Sequence, residues 1–205
     1  MPDALILLAG FSTRMGQLKQ HTRLGGRTFL ETVIAKLSAS RERLQQLVFV
    51  GQSSDSESRK LVEDCGGIWL TNPQPELGPL SSIRIAIENS SNANAKLLWP
   101  IDHPMIATAT INRLIELWQT SPELITVPSN GTQRGHPTIF PHWCYHEFFN
   151  IELSAGAKKI LQLFPDRINY LLTDDIWITR NLNTPQMLSE AEEWLQVNRA
   201  RSSAE

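Results

Sequence analysis

The chain has 205 residues, enough for one domain with a sizeable core. Hydrophobic residues make up 41% and charged residues 20%, and the net charge of −2 lacks the basic surplus of a nucleic-acid-binding surface. No apolar run reaches membrane-spanning length and no secretory leader pattern is present, so the sequence predicts a cytoplasmic protein with no membrane partner.

The first element is the continuous apolar run Ala4–Ala9, which reads as a strand covered on both faces. It is followed abruptly by small, polar and basic residues: Gly10, Ser12, Arg14, Gly16 and Lys19. The segment from Thr28 to Leu44 puts Phe29, Leu30, Val33, Ile34 and Leu37 on one helical face. A second buried strand covers Leu47–Gly51. The polar-start segment after it reads as a helix stopped by Gly66 and Gly67. A third strand follows at 68–72, then a helix over Ser81–Asn89. The fourth strand, Lys96 to Asp102, ends on an acid.

Thr110–Gln119 is again helical, and 124–129 and 137–140 read as short strands. Tyr145–Phe149 and Ala155–Phe164 read as helices. The stretches 168–172 and 177–182 read as late strands, with Asp174 and Asp175 as a polar turn between them. An amphipathic helix runs from Pro185 to about Arg199. The pattern predicts a single domain over 1–199, with 200–205 as a frayed tail. Cys65 and Cys144 lack metal-ligand spacing and read as free thiols of a reducing compartment.

Strands alternating with helices specify an α/β fold with a mostly parallel central sheet and helices on both faces. Ligands of such sheets bind beyond the carboxyl ends of the strands. The unusual residues cluster at those ends: Gly10–Lys19, Asn72–Ser82 and Asp102. In the first cluster, glycines let a phosphate approach the backbone, while Arg14 and Lys19 supply charge. The stretch matches neither a Walker loop nor GxGxxG. On physics alone, a Gly-Ser turn with solvated charges explains it equally well. Asp102, held between Pro100 and Pro104, is a magnesium ligand or a loop-capping acid.

"LLAGFSTRMGQLK" closely resembles the LAAGxSxRMGxxK signature of the MobA-like nucleotidyltransferases, and further blocks agree along most of the chain. "GPLSSIRIAI", "WPIDHP", "QRGHPTIF", "SAGAKKIL" and "NLNTPQML" resemble the family's GxxSSLRAGL, PxDxP, RGHPxLF, GxxGARxLL and DxDTPEDL. The resemblance, nearest to the molybdenum cofactor cytidylyltransferases, implies a Rossmann-like nucleotidyltransferase fold. It implies that Leu8, Ala9, Gly10, Ser12, Arg14 and Lys19 hold a nucleoside triphosphate, with Gly78, Ser81 and Ser82 near base and ribose. Asp102 and Asn183 would carry Mg2+, and His136 and Lys158 would meet the acceptor. Arg14, Lys19 and Asp102 would act on the transferred phosphoryl group.

The implied reaction moves a nucleoside monophosphate onto the phosphate of a molybdopterin-type acceptor and releases pyrophosphate. A molybdoenzyme would receive the product. Because a phosphate nucleophile is already ionised, positioned cations and a metal matter more than a general base. CTP is the favoured donor, because Ala9–Gly10, "SSIR" and "RGHP" match the cytidylyl branch. "GPL" and the neutral Asn181 and Asn183, standing where the cytidylyl pattern has aspartates, lean toward the guanylyl branch. The readings kept beside this one are GTP as donor, another phosphorylated acceptor such as a sugar phosphate, and a non-catalytic nucleotide or pterin carrier.

Overall fold

The apolar opening run folds as β1 (Asp3–Leu7), the first strand of the computed structural model, which describes residues 1–8, 18–90 and 94–202. Ala9, Gly10, Ser12 and Arg14 therefore lie outside the described residues. A 3-10 turn at Lys19–His21 leads into a small hairpin that the sequence pattern did not suggest, β2 (Arg23–Leu24) against β3 (Arg27–Thr28). Its two-residue turn places Gly25 and Gly26 at φ of 60° and 91°, a conformation that glycine alone adopts without strain.

The hairpin delivers Thr28 as the cap of α1 (Phe29–Ala39). Thr28 Oγ1 accepts from Glu31 N at 3.1 Å, and Glu31 Oε2 accepts from Thr28 N at 2.7 Å, a reciprocal capping box. The helix ends at Ala39, short of the expected Leu44, and a 3-10 turn over Arg41–Arg43 completes the segment.

β4 (Leu47–Gly51), α2 (Ser56–Asp64), β5 (Ile68–Thr71), α3 (Pro79–Glu88) and β6 (Lys96–Pro100) follow in strict alternation. α4 (Thr108–Thr120), β7 (Ile125–Ser129), β8 (Thr138–Phe140), α5 (Tyr145–Asn150), α6 (Lys158–Leu163), β9 (Ile168–Leu172) and α7 (Pro185–Ser202) complete the order. The seven-stranded sheet runs β5-β4-β1-β6-β8-β7-β9, and β8 alone is antiparallel to its neighbours.

Side chains alternate across this sheet and divide the core into two layers. Ile6, Phe49, Leu97 and Trp99 face α1, α2, α4 and α7. Leu5, Val48, Val50 and Leu98 face α3, α5 and α6. Both faces are covered, which is why the central strands read as unbroken apolar runs. Among the described residues, no helix is long and apolar enough to cross a membrane.

One expectation is corrected near the C-terminus. The stretch 177–182 is not a strand: Ile176–Ile178 form a 3-10 turn and no ladder follows. Its backbone bonds go elsewhere. Ile178 O accepts from His136 N and Leu182 N donates to Asp102 O, both at 2.8 Å, so the segment laces two loops together. Trp177, Ile178 and Leu182 are buried as irregular core, the source of the strand-like apolar pattern. α7 runs on to Ser202. Residues 203–205 lie outside the described residues.

Candidate active site

The chain passes from β1 outward to β4 and β5, then crosses back to β6 on the other side of β1. The boundary between β1 and β6 is thus a topological switch point, where an open α/β sheet leaves a crevice beyond its carboxyl ends. A cavity of about 580 Å³ lies there. Leu7, Leu98 and Ile83 contribute apolar wall, and Lys19, Asp102, His103, His136, Lys158 and Asn181 contribute polar groups.

Lys19 and Asp102 meet across this crevice: Nζ donates to Asp102 Oδ2 at 2.9 Å. Both are partly shielded, with side chains 23% and 15% exposed. Burial pushes the Asp102 carboxyl up, but His103, the charge and hydrogen bond of Lys19, and His136 outweigh it and hold the group below its ordinary value. The carboxylate is ionised at neutral pH.

The loop carrying Asp102 is tied from several elements. Ile101 N donates to Leu7 O, Trp99 Nε1 to His103 O at 3.0 Å, and Leu182 N to Asp102 O. From α1, Lys36 Nζ reaches Pro104 O at 2.7 Å and Ile106 O at 2.6 Å. Burial lowers the Lys36 ammonium to about 8, against the pull of Asp175. Such a loop holds its carboxylate in place before any ligand arrives.

His103 and His136 stand beside Asp102 with ring centroids 4.7 Å apart. His103 Nε2 lies 4.0 Å from Asp102 Oδ1, and burial lowers its basicity despite the carboxylate. His136 is pushed down to about 4, chiefly by burial and then by His103, so it is a neutral imidazole at pH 7. Its Nδ1 has no hydrogen-bond partner among the described residues. The pair forms a neutral, polar shoulder on the cavity.

On the opposite wall, Gly78 adopts φ 86° and starts α3 with Pro79 at its first position. Buried Asn72 pins this loop: Nδ2 donates to Ser81 Oγ at 2.8 Å and to Ser82 Oγ at 2.9 Å. Ser81 Oγ donates to Gly78 O at 2.7 Å. Gly78 and Ser82 line the cavity, whereas Ser81 is turned into the loop's own bonding.

The structure therefore brings Leu8, Lys19, Gly78, Ser82, Asp102, His136 and Lys158 to one cavity. Asn183 is not part of that wall; Asn181, two residues earlier, is. Asn183 Oδ1 is nonetheless buried and has no partner among the described residues. Arg84 donates to Phe148 O at 2.8 Å and Ile151 O at 2.6 Å, closing the end of α5. Asp175 caps α4, accepting from Ala107 N and Thr110 Oγ1. His103 and Asn72 are the residues sequence reasoning did not single out. Their signals were a histidine directly after the proline-flanked acid and a buried amide closing a strand.

The chain matches the sequence profile of the MobA-like NTP transferase domain over residues 4–169. It belongs to that family. The matched stretch contains Lys19, Asp102, His136 and Lys158, and Asn181 and Asn183 follow it. Full-length relatives include the molybdenum cofactor guanylyltransferase of Sinorhizobium fredii, 29% identical over 98% of this chain and 94% of that protein. The molybdenum cofactor guanylyltransferase of Rhizobium meliloti is 27% identical over 95% and 92%.

Among solved structures, Rv0371c of Mycobacterium tuberculosis superposes with a TM-score of 0.76 at 21% identity, covering 94% of this chain and 99% of that one. Molybdopterin-guanine dinucleotide biosynthesis protein A of Archaeoglobus fulgidus does so with a TM-score of 0.71 at 20% identity, covering 95% and 98%. These likenesses bear out the nucleotidyltransferase fold. The chain is a nucleotidyltransferase of the MobA-like family.

Proposed function

We propose that this MobA-like transferase moves GMP from GTP onto the terminal phosphate of molybdopterin and releases pyrophosphate. The observation that carries the reading is the Lys19–Asp102 pair facing one cavity at the switch point of the sheet. A phosphate oxygen of the acceptor attacks the α-phosphorus of GTP, the bond from that phosphorus to the β-phosphate bridging oxygen breaks, and pyrophosphate departs. Both reactants are anions, so the work of the protein is charge balance and alignment. Lys19 transfers its hydrogen bond from Asp102 to phosphate oxygens as the donor binds, and Arg14, outside the described residues, is the second cation of the same sequence motif. His136 and Lys158 contact the acceptor, the neutral imidazole through its unpaired Nδ1 and the lysine through its charge.

A divalent cation fits the donor set. Asp102 supplies a carboxylate, Asn181 a cavity-wall amide and Asn183 an unpartnered buried carbonyl oxygen, all hard ligands suited to Mg2+ or Mn2+. Among the described residues, no three His, Cys, Asp or Glu side chains gather into a metal cluster; phosphate oxygens and water would complete the shell of a Mg2+ ion held here. The ion, when bound, offsets phosphate charge and polarises the transferred phosphoryl group. A manganese complex of Rv0371c has a TM-score of 0.73 to this chain at 21% identity, which supports the choice of ion class.

GTP replaces CTP as the favoured donor for two reasons. The full-length relatives above carry the guanylyltransferase name. The cytidylyl expectation leaned on Ala9–Gly10, which lie outside the described residues, on "SSIR", whose Ser81 hydroxyl is engaged by Asn72 and Gly78, and on "RGHP", which stands as before. Pyrophosphate release from GTP, CTP, ATP and UTP, each with molybdopterin and Mg2+ or Mn2+, tests the reading. Release with GTP well above the others is expected. Selective release with CTP restores the cytidylyl reading, and saturable nucleotide binding without release from any donor supports a carrier.

A further inference from the structure

Lys19 begins a turn that is only three residues long, and the turn's own backbone bonds are local: His21 N to Leu18 O and Thr22 N to Lys19 O, both 3.0 Å. Those bonds do not aim Lys19 at anything outside the turn. Thr22 O accepts from Phe29 N at 2.9 Å, and the two side chains after Lys19 tie the turn to α2. Gln20 is fully buried, and its Nε2 donates to Asp55 Oδ2 at 2.5 Å. His21 Nε2 lies 2.9 Å from Asp55 Oδ1. Asp55 itself is 2% exposed and precedes α2, accepting from Ser58 N at 3.2 Å as that helix's cap.

We propose that Asp55 is a positioning residue, whose carboxylate fixes the Lys19–His21 turn and thereby aims Lys19 into the cavity. A helix cap uses one oxygen of such a carboxylate. Here Oδ2 is given to Gln20, and Oδ1 is shared between the helix and His21. The arrangement does more than capping requires. Bonds from Gln20, Ser58 and His21 also overcome the upward push of burial and hold the carboxyl below its ordinary range, keeping it a charged acceptor. Asp55 does not line the cavity, so its effect on a ligand passes through Lys19. This inference rests on the nucleotide-binding reading of the cavity for its catalytic consequence, but not for its structural content.

Asp55→Asn separates the two roles. Asparagine caps a helix as well as aspartate. It has one carbonyl oxygen, so it cannot keep the charged, two-oxygen grip on both Gln20 and His21. The expected result is a fall of about 10- to 100-fold in kcat/KM for GTP, the scale of a misaligned catalytic group, in a protein that still folds with α2 capped. In a Lys19→Ala background the same substitution adds less than about twofold, because the group it positions is already gone. Equal losses in both backgrounds overturn the proposal.

Amide hydrogen exchange gives a second reading that needs no nucleotide. Asp55→Asn should speed exchange over 18–24 while leaving the start of α2 protected. Unchanged exchange over 18–24, or loss confined to α2, overturns the proposal. Wild-type protein that turns over no donor defeats the proposed function, and the exchange measurement then decides the role of Asp55 alone.

Discussion

Lys19 and Asp102 neutralise one another in the free molecule, and each is the other's placeholder. For a largely shielded ion pair of this kind, desolvation offsets most of the attraction, so it contributes little to folding. Its value lies in keeping an ammonium and a carboxylate aligned, ready to exchange partners for phosphate and a cation. The neighbouring histidines have a different signature, visible in acid. His136 has its folded-state pKa lowered from 6.5 to about 4, and that of His103 is lowered too. A lowered base binds fewer protons folded than unfolded, so stability rises with pH across this window and is complete above 6.5. Urea denaturation at pH 5 and pH 7 should find the protein less stable at pH 5. His136→Asn should remove part of that difference, the remainder belonging to His103. Asp102 has the same sign in a separate window, below its ordinary value of 3.8. An unaltered pH 5 deficit in the variant contradicts the neutral, buried assignment of His136.

Elements with strong local signals fold as the sequence suggests, and the exceptions have physical causes. Past the buried Asp3–Lys96 pair at their start, β1 and β6 are apolar like β4 because both faces of the sheet are covered, and α1 begins where Thr28 and Glu31 form a capping box. Thr28→Ala should lower unfolding free energy by about 1 kcal/mol in urea titrations, with pyrophosphate release unaffected. A change in turnover comparable to the change in stability would mean that the hairpin before α1 also shapes the cavity. The segment 177–182 misled because its large apolar side chains are buried without a ladder, and hydrophobic pattern alone does not report where backbone bonds go. The antiparallel direction of β8 is equally silent in a three-residue run. At the site, Lys19, Asp102, His136 and Lys158 carry motif signals. Asn72, Asp55 and His103 act through contacts between distant segments, which a single sequence does not spell out.

Across the whole molecule, the two core layers hold β1 and β6 side by side, and their carboxyl ends deliver a cation and an acid to opposite lips of one crevice. The loops that carry them are fixed to α1, α2 and the 175–183 segment, so bonds to neighbouring elements rather than the loops' own structure set the Lys19–Asp102 geometry. Binding of GTP to this crevice would stabilise the fold by mass action, about 2.7 kcal/mol at a hundredfold excess over Kd. The most direct measurement is a calorimetric titration of GTP with Mg2+ into wild-type protein, into Lys19→Ala and into Arg167→Ala, whose side chain packs over Trp143 away from the cavity. The account predicts one saturable site, weakened about tenfold or more by Lys19→Ala, in keeping with the loss of a charge-assisted hydrogen bond, and untouched by Arg167→Ala. Equal affinity in wild type and Lys19→Ala would contradict it.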